Sequence, residues 1–152
     1  MQKPIEQHRA YPESAGCETL IVETDGSMIP IVVTDESAKD RRKNKQELWK
    51  EARLCLAHPQ GEVRPQFGAT FQESVDETGK VMFDTACNAG FGKQTYVHSV
   101  GDGATWISEQ VENQFGGQGH YLIDFYHVCE YLGAAANECC ETSSQEIGRA
   151  HV

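Results

Sequence analysis

Thr19-Leu20-Ile21-Val22-Glu23-Thr24-Asp25-Gly26-Ser27-Met28-Ile29-Pro30-Ile31-Val32-Val33-Thr34 is the stretch on which the fold turns. Both ends are apolar and β-branched, and Asp25-Gly26-Ser27 interrupts the middle. The pattern predicts a strand over 19–25, a turn at Gly26-Ser27 and a second strand over 28–34, a hairpin candidate. Upstream, residues 1–17 read as a lead-in containing Pro4, Pro12, Ser14 and Gly16.

Downstream, the basic run Arg41-Arg42-Lys43-Asn44-Lys45 interrupts the pattern as a loop would. Residues 48–56 have helical composition, yet Ala52, Leu54 and Leu56 alternate with Arg53 and Cys55. Helix and strand both stay open there. His58-Pro59-Gln60-Gly61 signals a turn. Residues 63–71 read as a strand with Val63, Phe67, Ala69 and Phe71 on one face. Ser74 with Glu77 has capping-box spacing, followed by a stripe of Val81, Met82, Ala86 and Ala89. Residues 96–100 predict a strand ended by Gly101-Asp102-Gly103. Residues 104–115 predict a helix with Trp106, Ile107, Val111 and Phe115 inward and Glu109 and Glu112 outward. A strand over 120–124 and a helix over 125–137 complete the series. An antiparallel start followed by alternating strands and helices implies an α/β fold with a mixed sheet.

The chain has 152 residues, the size of one ordinary domain. Its 39% hydrophobic and 24% charged content belongs to a globular protein. The longest apolar run, residues 28–33, is far short of the ~20 residues of a membrane helix. The polar start predicts no signal peptide, so a cytoplasmic protein without membrane contact is expected. With 13 basic and 23 acidic residues, the charge is −10. Nucleic acid can then be gripped only through a local patch, for which Arg41, Arg42, Lys43 and Lys45 are the candidates. A solvated loop is the alternative. Cys17, Cys55, Cys87, Cys129, Cys139 and Cys140 form no Cys-x-x-Cys pair and are expected as buried, reduced thiols. Trp49 and Trp106 are expected in the core.

Asp25, Asp102 and Asp124 each end a predicted strand. In open α/β sheets, sites form beyond the carboxyl ends of strands. Carboxylates that converge need a cation between them, and hard oxygen ligands suit Mg²⁺ or Mn²⁺. A pair of such ions serves phosphodiester chemistry. His127, three residues after Asp124, could join a metal or phosphate site. The alternative is that these Asp cap helices and close turns, with His127 half-buried beside a cap. Residue pattern leaves both readings open. There is no Gly-x-Ser-x-Gly elbow, Walker loop or dinucleotide fingerprint.

Val22-Glu23-Thr24-Asp25-Gly26-Ser27-Met28-Ile29-Pro30, Trp49-Lys50-Glu51-Ala52-Arg53, Val100-Gly101-Asp102-Gly103-Ala104-Thr105-Trp106-Ile107 and Leu122-Ile123-Asp124-Phe125-Tyr126-His127 together resemble bacterial insertion-sequence transposases of the Kra type, in the Mutator-like group. The similarity spans roughly residues 18 to 137. It implies an RNase H-like fold, with 48–56 as a strand, and a DDE triad that binds two divalent metals, Mg²⁺ or Mn²⁺, to cut and join DNA. Asp25 and Asp102 would be the first two acids, and Asp124 and His127 an accessory motif. DNA (transposon ends and target) and an oligomeric assembly are the partners implied for an intact protein.

The family's third acid, a Glu on a later helix, has no counterpart here. Glu138, Glu141 and Glu146 stand too close to the Asp-x-x-His motif. The resemblance therefore implies a partial catalytic domain over 18–140, inactive alone. Residues 141–152 are expected to be a non-native or disordered tail, resembling at their end a translated adapter oligonucleotide. Two rivals remain: another RNase H-like nuclease using Asp25, Asp102 and Asp124 as ligands, and a non-catalytic acidic α/β interaction domain.

Overall fold

The computed structural model describes residues 10–34 and 45–139. Five strands and three α-helices follow one another as β1 (Thr19–Thr34), β2 (Lys45–Pro59), β3 (Gln66–Phe71), α1 (Val75–Asn88), β4 (Tyr96–Gly101), α2 (Thr105–Phe115), β5 (Gly119–Ile123) and α3 (Phe125–Cys139). One sheet holds all five strands in the order β3-β2-β1-β4-β5. β1, β2 and β3 pair antiparallel, and β4 and β5 add in parallel to β1. The expected mixed α/β sheet is therefore present, and residues 48–56 lie within β2. No helix among the described residues is long and apolar enough to cross a membrane.

The hairpin expected at Gly26-Ser27 does not form. β1 runs straight through it, and its ladder with β2 is unbroken from Leu20↔Pro59 to Thr34↔Lys45. Cross-strand pairing along the whole of β2 overrides the local preference of Asp-Gly-Ser for a turn. What ends near Asp25 is the other neighbour: β1 pairs with β4 only as far as Glu23↔Val100. From there β1 and β2 continue as a two-stranded ribbon. Pro30 fits this placement. The Glu18 carbonyl accepts from Tyr96 N–H on the β4 side, and the Thr19 carbonyl accepts from Gln60 N–H on the β2 side. Continuing that alternation turns the Pro30 nitrogen to the free edge, where its missing N–H costs no ladder bond.

One face of the sheet is packed. Leu20, Val22, Cys55, Ala57 and Val97 form a single core with Met82, Phe83 and Ala86 of α1 and Ile107, Val111 and Phe115 of α2. Burying each large aliphatic or aromatic side chain contributes about 1.5–3 kcal/mol. Ser74 caps α1, its Oγ accepting from Glu77 N–H, while Glu77 pairs with Lys80. Phe91 joins Phe83, Phe115 and Tyr11 in edge-on and tilted aromatic contacts.

Several packing expectations are overturned. β3 begins at Gln66, and Val63 precedes it, exposed. Its packed side is Gly68 and Thr70, whereas Phe67, Ala69 and Phe71 turn outward, because α1 lies too close for a large residue. Trp49 lies exposed on the ribbon, whereas Trp106 does pack against the core, half-buried, with the Arg53 guanidinium 5.1 Å from its ring centroid. Of the thiols only Cys55 is buried, with Cys17 and Cys87 half-buried and Cys129 and Cys139 exposed. Cys129 and Cys139 ride on α3, a helix with no buried residue. Cys140 lies outside the described residues, as does the 141–152 tail.

Candidate functional site

Strand register brings the three aspartates into one row. Glu23 stands opposite Val100, so continuing both strands by two residues sets Asp25 against Asp102. Gly101 stands opposite Ile123, so one further residue sets Asp102 against Asp124. Asp25 is inside β1 rather than at its end. It nonetheless sits where the parallel part of the sheet stops, and that is where an α/β site forms.

All four expected site residues, Asp25, Asp102, Asp124 and His127, line one cleft of about 510 Å³. Leu54, Leu56, Val100 and Phe125 supply apolar wall, and Glu23 adds a fourth carboxylate. Among the described residues no Lys or Arg lines it. His127 is its sole potential cation among the described residues. Low-polarity walls strengthen the field of the uncompensated carboxylates.

The three aspartates are bonded differently. Among the described residues the Asp25 carboxylate, exposed in the cleft, has no hydrogen-bond or ion-pair partner. Asp102 Oδ1 accepts from Ala104 N–H at 2.8 Å, an Asx turn leading into α2, and Oδ2 is left over. Asp124 is the cap of α3. Its Oδ1 accepts from Tyr126 N–H at 2.7 Å and His127 N–H at 3.2 Å, and its Oδ2 is bonded to His127 Nδ1. That bond holds the Asp124 carboxyl below its ordinary pKa, with the two backbone N–H donors assisting. The same bond holds His127 above its ordinary value.

The basic run does not reach the cleft within the described residues. Arg41, Arg42 and Lys43 lie outside them. Lys45 opens β2 opposite Thr34, nine residues along the ribbon from Asp25, or about 30 Å at strand rise.

The donor set suits a hard cation in kind: carboxylate oxygens at Asp25 and at Asp102 Oδ2, without a thiol, and with the one lining imidazole, His127, bonded to Asp124. It falls short in number. Among the described residues no three His, Cys, Asp or Glu side chains stand close enough to hold a metal ion together.

Three further residues at this place escape a reading of the sequence. Glu23 follows from strand alternation, two residues before Asp25 on the same face. Tyr121 and Tyr131 leave no such signal. Their hydroxyls meet the Asp102 loop, one at Gly103 N–H and the other at the Asp102 carbonyl. Burial pushes the Tyr121 hydroxyl pKa up, so it stays protonated.

Comparison with protein-family models, with curated proteins and with solved structures gives no match to this chain.

Proposed function

We propose that this chain carries the partial core of a metal-dependent DNA strand-transfer enzyme of the DDE type, built on an RNase H-like sheet. The observation that carries the reading is the gathering of Asp25 of β1, Asp102 just after β4 and Asp124 just after β5 in a cleft lined, among the described residues, by four carboxylates and no Lys or Arg. The sheet order, three antiparallel strands with two parallel strands added to β1, is the order that such a fold would have. Asp25 and Asp102 would hold Mg²⁺ or Mn²⁺. When bound, such ions activate an attacking oxygen and stabilise the leaving oxygen of a phosphodiester.

The chain's own residues do the rest. Asp25 and Asp102 Oδ2 present oxygens to the cation and repel anions when it is absent. Asp124 and His127 start α3 beside the site. Leu54, Leu56 and Phe125 form the cleft's apolar wall. Among the described residues no third ligand joins Asp25 and Asp102, in keeping with a partial site. DNA is the proposed substrate, met in the cytoplasm of a bacterium by an oligomer of the intact protein, with Lys45 as a remote phosphate contact.

Mn²⁺ titration followed by electron paramagnetic resonance tests the reading. Asp25→Asn and Asp102→Asn should each lower affinity at least tenfold. Asp124→Asn should preserve it, since that carboxylate is spent on the helix cap. Equal loss in Asp124→Asn would favour a nuclease site with three Asp ligands. Affinity unchanged in Asp25→Asn would leave these residues as turn and cap formers in an interaction domain.

A further inference from the structure

Asp102 lies in a short loop, and that loop is pinned from four sides. Asp124 N–H donates to the Gly101 carbonyl at 2.9 Å. Ala104 N–H donates to Asp102 Oδ1 at 2.8 Å. Gly103 N–H donates to Tyr121 Oη at 2.9 Å. Tyr131 Oη donates to the Asp102 carbonyl at 2.9 Å. Two of these are turn and strand-end bonds that any such loop could make. The other two come from tyrosines on separate elements, β5 and α3.

The rings press as closely as the hydroxyls. A Cβ on Gly103 would lie 3.1 Å from Tyr131 Oη and 3.2 Å from its ring, and a Cβ on Gly101 would lie 2.9 Å from Tyr121 Oη. Gly103 also has a φ of +98°, which favours glycine. Both glycines are thus required for the tyrosines to reach the backbone. Tyr131 is 55% exposed while it makes its bond, so core burial does not account for its placement.

We infer that Tyr121 and Tyr131 are positioning residues, clamping the single Asp102–Gly103 peptide group at its N–H and its carbonyl and so fixing the backbone from which the Asp102 side chain projects into the cleft. The inference rests on the reading of Asp102 as a cation ligand. A ligand held in one orientation loses less conformational freedom on binding than one on a free loop. The clamp also ties α3 to the site. Tyr131 lies on the same helix that Asp124 caps, so one side-chain bond links the Asp102 loop to the helix carrying the Asp124–His127 pair.

The test uses the full chain and two substitutions that remove only a hydroxyl, Tyr121→Phe and Tyr131→Phe. Mn²⁺ affinity, amide hydrogen exchange and melting temperature are measured on each, with Asp102→Asn as the reference. Each Phe variant should bind Mn²⁺ three- to tenfold more weakly with its melting temperature unchanged. In Tyr121→Phe the Gly103 amide should exchange at least tenfold faster. If Asp102→Asn weakens Mn²⁺ binding but both Phe variants bind like the parent, the inference fails and the metal reading stands. If Asp102→Asn has no effect, the metal reading fails. The clamp is then judged by exchange alone, and unchanged protection of Gly103 in Tyr121→Phe overturns it. Weakened binding accompanied by a general loss of stability overturns it too, reducing both tyrosines to structural residues.

Discussion

Gly68→Ala should destabilise the fold, although alanine suits a strand better than glycine. Gly68 lies in β3 opposite Cys55, on the side that faces α1. A Cβ there would come within 2.3 Å of Thr85 Oγ1 and 2.6 Å of Val81 Cγ1. Both neighbours are β-branched and stiff at χ1, and Thr85 Oγ1 is bonded to the Val81 carbonyl at 2.7 Å. Neither can swing aside cheaply, so the edge strand must move. Overpacking of this kind costs about 1–3 kcal/mol. Relief of glycine's backbone entropy returns about 0.5–1 kcal/mol. The net loss is about 1.5 kcal/mol, or roughly 3–6 °C in melting temperature for a domain of this size. Thermal unfolding by circular dichroism reads it directly. Thr85→Ala should restore about 1 kcal/mol in the double variant, because it removes the nearer clashing atom. Gly133→Ala is the control: nothing lies within 4 Å of a Cβ there, and the same change should raise the helicity of α3. A Gly68→Ala variant as stable as the parent would refute the close approach of β3 to α1.

Ser99 Oγ is buried in β4 without a hydrogen-bond partner among the described residues, so Ser99→Ala should be stabilising by about 1 kcal/mol in urea unfolding, and a loss would show that the hydroxyl is satisfied. Arg53 grips Glu51 through Nε and a terminal nitrogen at 3.1 and 2.7 Å, and also donates to the Glu73 carbonyl. Arg53→Lys should cost about 1 kcal/mol, and an unchanged melting temperature would dismiss the fork. The helicity of α3 should depend on pH at both ends. His127, raised by its bond to Asp124, contributes fully below its ordinary 6.5 and ceases to contribute as pH rises through its raised pKa. Asp124, lowered by the same bond, contributes fully above its ordinary 3.8 and ceases as pH falls through its lowered pKa. Helicity should therefore be greatest between those ordinary values, and His127→Gln should remove the alkaline limb and shrink the acid one to what the two backbone N–H donors sustain.

The sequence shows element type and order because apolar periodicity is a local property, and it misleads where contacts across the sheet decide. Asp25-Gly26-Ser27 is a turn in isolation and a strand once fifteen residues of β2 lie alongside. Phe67 and Phe71 look like core until α1 approaches so closely that only Gly68 and Thr70 fit beneath it. Trp49 looks like core until the ribbon carries it beyond the helices. The positions of Asp102 and Asp124 were readable as strand ends, because a glycine or a helix start follows each, whereas Asp25, read as an end for the same reason, lies inside β1. The differing duties of the three were not readable, since they depend on which backbone N–H groups stand near each carboxylate. The two tyrosines were unreadable for the same reason: a hydroxyl that bonds to a loop leaves no periodic mark.

Those duties form a gradient across the row. Asp124 spends both oxygens on its helix and on His127, and the helix N-terminus favours its charge further. Asp102 spends one oxygen and keeps one. Asp25 has neither donor nor cation among the described residues. Like charges brought together at the mouth of an apolar cleft raise one another's free energy unless something compensates them. Compensation is complete at one end of the row and absent at the other, so a cation gains most at Asp25 and the free oxygen of Asp102. Asp124 has little left to offer it. Under the proposed metal reading Asp124 and His127 would act chiefly by holding the start of α3, and through the Tyr131 hydroxyl the Asp102 carbonyl, in place.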